Sequence, residues 1–271
     1  MKLSTILPLI TSVSASCIRG TSLLPRAADG TVEVNPYNYT NLGSPFNWYG
    51  LDDDNSACST GKNQSPIEIV TDEIDYVAPG ALKFHVPNAD NVKFENLGSG
   101  LEVVLTNGSL AANGRQYKLA QFHFHTPSEH RVDEEYFPME AHFVFEDSES
   151  NIAVVGFVFQ LSEFGFSLPL FDSVFAHIDD IAAPGTFTKT GALEFDQLTE
   201  HLYQHGIYEY SGSLTTPPCS EGVAWYVSTE PLPLNVQSYN KVKSILKFNA
   251  RYTQNALGQD NLLEVAAEKL N

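Results

Sequence analysis

Apolar and polar residues alternate over several short segments of the chain, and this period of two predicts β-strands. Clusters of Gly, Asn and Pro, such as Asn107-Gly108 and Asn113-Gly114, separate the segments and are typical of turns. Short strands joined by turns favour a mainly antiparallel sheet within one domain. The predicted strands are 101–105, 117–125, 140–146, 152–161, 206–211 and 223–229.

Helical periodicity is sparse by comparison. Two segments, 168–179 and 235–249, are the helix candidates. The second shows the clearer pattern, because four apolar residues spaced three or four apart would share one face of a helix. These residues are Val236, Tyr239, Val242 and Leu246. The sequence therefore predicts a mainly β fold with few helices.

Residues 121–125 alternate two histidines with two phenylalanines. In an extended strand, side chains at positions i and i+2 lie on the same face, about 6.5–7 Å apart along the strand. His123 and His125 would therefore share one face with Gln121, while the phenylalanines share the other. A pair of imidazoles on one strand face, backed by apolar residues, suits a metal held against a rigid sheet.

A third histidine, His142, lies in the next predicted strand, 140–146. An antiparallel neighbour would bring it beside His123 and His125. Three imidazoles that converge from a sheet leave one coordination position open, which is typical of a catalytic rather than a structural zinc site. Because all three ligands would be neutral, the ion would keep its double charge and acidify a bound water molecule strongly.

Two polar residues share faces with these histidines and could orient them. Gln121 lies beside His123 and Glu140 beside His142, so each could accept a hydrogen bond from the ring nitrogen that does not bind metal. A lone His-x-His pair is more often explained by packing or surface exposure, but the third histidine and the two polar partners favour a metal site. The remaining histidines considered, His85, His177, His201 and His205, lack this context and are interpreted as surface or packing residues.

A third motif, Gly-Ser-Leu-Thr-Thr-Pro-Pro at residues 212–218, predicts a rigid extended loop. The backbone N–H of Thr216 stays free to donate, whereas the two prolines have none. An ordinary proline-rich turn is the alternative interpretation.

The composition limits the classes of partner. The chain has 15 Lys+Arg against 33 Asp+Glu, a net charge of -18. Such a surface repels phosphate backbones and anionic membranes, so we expect no nucleic-acid partner. Beyond the N-terminus, no segment approaches the roughly 20 apolar residues of a membrane span.

The N-terminus predicts secretion. Residues 1–15 have Lys2, an apolar run and a small-residue cleavage site, which are features of a signal peptide. Residues 16–45 are polar and irregular and are interpreted as an N-terminal arm or pro-segment. Asn38 and Asn107 begin N-glycosylation sequons, which agrees with an extracellular location.

The chain contains three cysteines, and one of them, Cys17, lies at the end of the predicted leader. Cys58 and Cys219 remain for the mature domain. In a secreted protein two cysteines suggest one disulfide, and two free buried thiols are the alternative.

Four motifs, in this order along the chain, resemble those of the α-class carbonic anhydrases: QFHFH with the following SEH, then EAHFVF, SLTTPP and VAW. The resemblance runs from about Trp48 to the last helix region. It implies one catalytic domain over residues 46–271, built on a large twisted, mostly antiparallel central sheet with a few short peripheral helices. It also implies a zinc lyase that converts carbon dioxide reversibly to bicarbonate and a proton. The reaction would proceed by attack of zinc-bound hydroxide, and the site would also bind small anions. Carbonic anhydrases are the standard example of three-histidine zinc chemistry, so the resemblance supplies that chemistry.

The resemblance also implies a role for individual residues. His123, His125 and His142 would bind zinc, and Gln121 and Glu140 would orient the rings. Thr215 and Glu129 would be catalytic, and the Thr216 N–H would bind substrate beside an apolar wall formed by Val144, Val154, Leu214 and Trp225. Cys58 and Cys219 would form the disulfide. Thr215 would donate its hydroxyl proton to Glu129, because an ionised carboxylate can only accept. The lone pairs of Thr215 would then select a zinc ligand that carries a proton.

One position departs from the family pattern. The family commonly places a proton-shuttling histidine where this chain has Ser99, and serine cannot carry a proton away near neutral pH. We therefore expect slow proton release that depends on external buffer. Tyr49 or Glu102 could partly replace the missing histidine.

Three other functions remain open at this point. His123, His125 and Glu129 also fit the first metal motif of cupin barrels, which bind manganese or iron, although SLTTPP would then be unexplained. A non-catalytic relative that binds a partner is a second alternative. Ester hydrolysis by the same zinc site is a third.

Overall fold

The structure, a computed structural model, describes residues 32–270. The predicted signal peptide, Cys17 and residues 16–31 of the predicted arm lie outside the described residues. Within the described range, no helix is both long enough and apolar enough to cross a membrane.

The described residues form fifteen strands and five α-helices. The strands are β1 Glu68–Ile69, β2 Asp75–Val77, β3 Lys83–His85, β4 Lys93–Asn96, β5 Leu101–Val104, β6 Ser109–Ala112, β7 Arg115–His125, β8 Arg131–Val132, β9 Glu135–Tyr136, β10 Met139–Glu146, β11 Ile152–Leu161, β12 Phe187–Lys189, β13 Ile207–Ser213, β14 Glu221–Ser228 and β15 Leu232–Leu234. The helices are α1 Ala57–Thr60, α2 Pro169–Phe175, α3 Asp196–Gln204, α4 Val236–Leu246 and α5 Leu262–Glu268.

Twelve strands form one central sheet, in which nine strands lie in the order β12-β4-β5-β7-β10-β11-β14-β13-β2. Strands β6 and β3 continue from β7, and β15 pairs with β11. Two strand pairs in this sheet of the described residues are parallel, β11 with β14 and β11 with β15. The predicted mainly β fold with a large, mostly antiparallel sheet is therefore confirmed, and all six predicted strands are present within it.

Two of the five described α-helices were predicted. Both helix candidates are confirmed as α2 and α4, but Val236 is 48% exposed and so does not join the buried face of α4. The sequence missed α1, α3 and α5. Helix α5 has no buried residue and so carries no apolar stripe, and α3 is only nine residues long, with Leu198 and Leu202 as its buried positions.

The central sheet separates two apolar clusters, and this arrangement positions the site. On one face, phenylalanines from several strands pack in the main core, and the rings of Phe122 and Phe143 stack with centroids 4.5 Å apart. On the other face, the histidines of β7 and β10 lie beside a smaller cluster that includes Val144 and Trp225. The alternation in residues 121–125 thus places the imidazoles on the face opposite the phenylalanine core.

The N-terminal segment, residues 32–39, packs on the domain. The ring of Tyr37 packs edge-on against Trp48, with centroids 5.4 Å apart. The Asn35 N–H donates to the carbonyl of Leu97 at 2.9 Å, next to the turn between β4 and β5. The predicted division between arm and domain at residue 46 stays a prediction.

Candidate metal centre

Three histidines converge on one face of the central sheet. His123 and His125 lie on β7, and the β7–β10 register pairs His142 directly with His123. The ring centroids lie 4.6–5.2 Å apart. One nitrogen from each ring lies within 4.8 Å of the others, a separation that a single metal ion could span.

Each ring is held by a hydrogen bond at its other nitrogen. His123 Nδ1 bonds to Gln121 Oε1 at 2.8 Å, and His142 Nε2 bonds to Glu140 Oε1 at 2.8 Å. His125 Nδ1 bonds to the carbonyl of Asn249, also at 2.8 Å. If each of these nitrogens donates, the neutral rings present lone pairs at His123 Nε2, His125 Nε2 and His142 Nδ1, which is the form that binds metal.

The environment of the rings favours their neutral form. Burial lowers the pKa of His123 well below its usual value, and the charges of the other two histidines lower it further. Burial also lowers the pKa of His125 to about 4. His125 Nε2 is buried and has no hydrogen-bond partner. An unpartnered lone pair in a buried cluster fits a metal ligand, since an unpaired buried nitrogen would otherwise be costly.

Glu140 is the centre of a buried hydrogen-bond network. Its Oε2 accepts from the backbone N–H groups of Glu129 and His130 at 2.8 and 2.9 Å, while His130 Nδ1 bonds to Oε1 at 2.7 Å. Burial acts to raise the pKa of the Glu140 carboxyl, but the charges and hydrogen bonds of His130 and His142 hold it well below its usual value. An ionised carboxylate at this position fixes the ring of His142.

Sequence reasoning gave no role to His130. Its Nε2 bonds to the Tyr210 hydroxyl at 2.7 Å, and that hydroxyl bonds to Ser65 Oγ at 2.8 Å. His130 is fully buried. The network therefore connects the metal cluster to β13 and to the segment before β1. A histidine next to Glu129 was the only local signal, and it does not reveal partners so distant in sequence.

Glu129 and Thr215, the two predicted catalytic residues, are in contact. The Thr215 side chain lowers the pKa of the Glu129 carboxyl, and Glu129 Oε1 accepts from the Arg251 N–H at 2.8 Å. Burial raises the pKa of Glu129 to about 7. Glu129 Oε2 lies 3.4 Å from His125 Nε2, so the pair sits at the edge of the histidine cluster.

A cavity of about 40 Å³ leads to the histidines. Its lining includes His123, His125, Gln121, Glu102, Ser99 and Thr216, together with Asn35, Tyr37 and Tyr39 of the N-terminal segment. Tyr49, which we considered as a replacement for the shuttle histidine, is 46% exposed and does not line this cavity.

The four residues of the predicted apolar wall pack together beside the cluster. They are Val144, Val154, Leu214 and Trp225, and each is at most 4% exposed. The Trp225 ring lies 4.8 Å from that of His142. None of the four lines the 40 Å³ cavity, so the predicted carbon dioxide niche stays a prediction.

The loop that carries Thr215 is fastened by a disulfide. Cys58 and Cys219 are bonded, with Cα atoms 5.1 Å apart, and they are separated by 161 positions in sequence. The predicted disulfide is therefore confirmed.

The predicted glycosylation sites, Asn38 and Asn107, are exposed, and their modification stays a prediction.

Comparisons with known proteins agree with this geometry. A family model described as eukaryotic-type carbonic anhydrase matches residues 44–262. The solved fungal α-carbonic anhydrase of Aspergillus oryzae is 66% identical with a TM-score of 0.85, over 87% of this chain and all of that one. The α-carbonic anhydrase of Thermovibrio ammonificans, solved with the inhibitor sulfanilamide, is 32% identical with a TM-score of 0.73, over 83% and 96% of the two chains. The carbonic anhydrase of Pectobacterium atrosepticum is 32% identical over 212 residues, which are 78% of this chain and 83% of that protein. The chain therefore belongs to the eukaryotic-type, or α-class, carbonic anhydrase family, a family of lyases that hydrate carbon dioxide.

Proposed function

We propose that this chain binds Zn²⁺ at His123, His125 and His142 and catalyses the reversible hydration of carbon dioxide to bicarbonate and a proton. The observation that carries the proposal is the arrangement of three ring nitrogens within 4.8 Å of one another, beside the Glu129–Thr215 contact. Neither feature alone would distinguish a catalytic centre from packed polar residues.

The three histidines fit zinc because they offer neutral nitrogen donors and leave a coordination position open. Zinc supplies a strongly acidified water molecule, with a pKa near 7, a value established for carbonic anhydrases themselves rather than obtained from this site. The orienting bonds from Gln121, Glu140 and the Asn249 carbonyl would hold the rings in place whether or not metal is bound.

Glu129 and Thr215 would select and orient the reacting group. When Glu129 is ionised it can only accept, so the Thr215 hydroxyl donates to it. The lone pairs of Thr215 are then free to accept from a group that carries a proton. A cation bound nearby would favour the ionised form of Glu129 and so strengthen this direction. The Thr216 N–H would hold a substrate oxygen.

Proton release would be slow in this chain. Ser99 occupies the position of the family's shuttle histidine, and its Oγ accepts from Asn35 Nδ2 at 2.7 Å. A serine hydroxyl does not take up and release protons near neutral pH. We therefore infer that turnover depends on the concentration of external buffer, and a rate that is insensitive to buffer would contradict this inference.

We also propose that the protein is secreted. The features of a signal peptide in residues 1–15, the disulfide between Cys58 and Cys219, and the exposed sequons at Asn38 and Asn107 support an extracellular location.

The cupin alternative is wrong, because the fold and the family are those of carbonic anhydrases.

The non-catalytic alternative is decided by carbon dioxide hydration measured before chelation, after chelation and after zinc is restored. We expect activity to disappear with the metal and to return with zinc. Full activity in metal-free protein, or none in zinc-loaded protein, would contradict the proposed function.

A further inference from the structure

Arg251 is a buried cation close to the two proposed catalytic residues. It is 1% exposed, and its guanidinium carbon lies 5.9 Å from the centroid of the Trp48 ring. Burial lowers the pKa of the guanidinium to about 10, so the group is still charged at neutral pH. Burying a charge costs free energy unless the charge is well hydrogen-bonded. The groups that Arg251 contacts therefore indicate what the residue does.

The backbone of Arg251 holds Glu129. The Arg251 N–H donates to Glu129 Oε1 at 2.8 Å, while Glu129 Oε2 lies 3.4 Å from His125 Nε2. Glu129 is fully buried. The direction of its carboxyl group therefore depends on where the backbone of Arg251 lies.

The side chain of Arg251 holds two backbone carbonyls. Nη1 donates to the carbonyl of Ser65 at 2.7 Å, and Nη2 donates to the carbonyl of Cys58 at 3.3 Å. Ser65 lies shortly before β1, and Cys58 lies on α1. Because a guanidinium is planar and rigid, its two donors keep these acceptors in a fixed relation to each other.

Both of these residues are joined to the segment 213–219, which carries Thr215. The Ser65 N–H donates to Ser213 Oγ at 2.8 Å, and the Ser213 N–H donates to Ser65 Oγ at 3.0 Å. At the other end of the segment, Cys219 forms the disulfide with Cys58. Each end of the Thr215 segment is therefore attached to a residue whose carbonyl the guanidinium holds.

The metal cluster does not depend on the side chain of Arg251. Asn249, two positions earlier, supplies the carbonyl that orients His125 and is fixed by its own side chain. Its Oδ1 accepts from the Thr126 N–H at 2.8 Å, and its Nδ2 donates to the carbonyl of Phe124 at 2.9 Å. A change in the Arg251 side chain should therefore leave the orientation of His125 in place.

We propose that Arg251 is a positioning residue that sets the position of the Glu129 carboxyl group relative to Thr215. Its backbone holds Glu129, and its side chain holds the supports of the Thr215 segment. The proposal rests on the proposed function, in which the Thr215 hydroxyl donates to Glu129. A displacement of about 1 Å in such a pair can lower a rate about 100-fold.

The test uses zinc-loaded protein and two substitutions of Arg251. Arg251→Met keeps a long side chain and removes both hydrogen bonds to the carbonyls, whereas Arg251→Lys keeps the charge without the planar pair of donors. Arg115→Met is the matched control, because Arg115 is 46% exposed and pairs with Asp147 and Glu149. Stopped-flow hydration gives kcat and kcat/KM, and competition with a chelator gives the zinc Kd.

We expect kcat/KM to fall about tenfold in Arg251→Met and about threefold in Arg251→Lys. The zinc Kd should stay within about threefold of the wild-type value. In dilute buffer kcat should fall less than kcat/KM, because proton release limits kcat, whereas a loss of folded molecules would lower both by the same factor. Arg115→Met should match wild type in all three quantities.

Wild-type kcat/KM in Arg251→Met would overturn the proposal, and so would an equal fall in kcat and kcat/KM. A zinc Kd weakened more than about tenfold would also overturn it, because Arg251 would then act on the metal site. If Arg251→Met does not fold, Arg251→Lys decides, and wild-type kcat/KM in that variant would overturn the proposal. Absence of hydration by zinc-loaded wild type would instead overturn the proposed function itself.

Discussion

The direction of each histidine ring is set by one neighbouring acceptor. Gln121 and Glu140 act from the same strand as the ring they orient, two positions away. The acceptor for His125 is a backbone carbonyl 124 positions away, at Asn249. The side chain of Asn249 is itself fixed, since its Oδ1 accepts from the Thr126 N–H at 2.8 Å. Three different acceptors thus produce one convergent cluster.

The hydroxyl of Thr215 is predicted to matter for turnover and not for metal binding. Thr215→Val keeps the shape of the side chain and removes the hydroxyl that lowers the pKa of Glu129. We expect kcat/KM for carbon dioxide hydration to fall about 100-fold, the usual cost of losing one oriented hydrogen-bonding group, while zinc content stays unchanged. Thr106→Val, at an exposed threonine, serves as the control. Retention of wild-type kcat/KM by Thr215→Val would contradict the role assigned here.

A histidine at position 99 is predicted to need space that the N-terminal segment occupies. Ser99 Oγ lies 2.7 Å from Asn35 Nδ2, so an imidazole cannot be added without moving that amide. We expect Ser99→His alone to leave kcat in dilute buffer unchanged, and Asn35→Gly/Ser99→His to raise it about tenfold by providing a proton carrier. Stopped-flow hydration over a range of buffer concentrations measures this, and an equal gain in the single variant would refute the steric argument.

At the scale of elements, six of the fifteen described strands were predicted, and the nine that were missed are only two to four residues long. Strand β7 shows the period of two because part of it has one exposed face, whereas β11 appears as a nearly continuous apolar run and β10 as a mostly apolar one because both of their faces are buried. Helix α5 buries nothing and is begun by Asn261, whose side chain accepts from the Leu263 N–H, so it leaves little periodic signal. Loops likewise leave little periodic signal in the sequence.

The same reasoning separates predictable from unpredictable site residues. The spacing of His123 and His142 within their strands is enough to predict that they belong to the site. Tyr37, His130 and Arg251 lie at the site because of tertiary contacts, which the sequence does not reveal. The local sequence around such residues does not predict a partner that lies a hundred positions away.

The disulfide is predicted to stabilise the loop that carries Thr215. Cys58→Ser/Cys219→Ser removes a covalent link between residues 161 positions apart, and we expect the free energy of unfolding to fall by about 2–5 kcal/mol. Urea denaturation measures this, with Cys17→Ser as the control because it replaces a cysteine and leaves the Cys58–Cys219 bond in place. An unchanged free energy of unfolding in the double variant would show that the link contributes nothing.

At the scale of the whole molecule, one sheet keeps two environments apart. The phenylalanine cluster fills one face of the sheet, and the opposite face carries the histidines and their hydrogen-bond partners. Close packing on the apolar face limits movement of β7 and β10, so the three ring nitrogens stay together. The fold thus provides a rigid support for the site.

Stability is predicted to depend on pH through His201 on α3, far from the metal cluster in sequence. Burial lowers its pKa below the usual 6.5, as does the charge of His205. Below about pH 6.5 the unfolded chain therefore takes up this proton before the folded protein does, and stability is lost as the pH falls. We expect His201→Gln to lose less stability than wild type between pH 7 and pH 5, measured by urea denaturation. An equal or greater loss in the variant would contradict this assignment.

The central claim is that His123, His125 and His142 together hold the catalytic zinc. Its most direct test is the zinc content per chain, with carbon dioxide hydration on the same samples, for wild type, His142→Ala and the control His177→Ala, whose histidine is half exposed. We predict stoichiometric zinc and full activity for wild type and His177→Ala, and loss of both in His142→Ala. Stoichiometric zinc with full activity in His142→Ala would contradict the account.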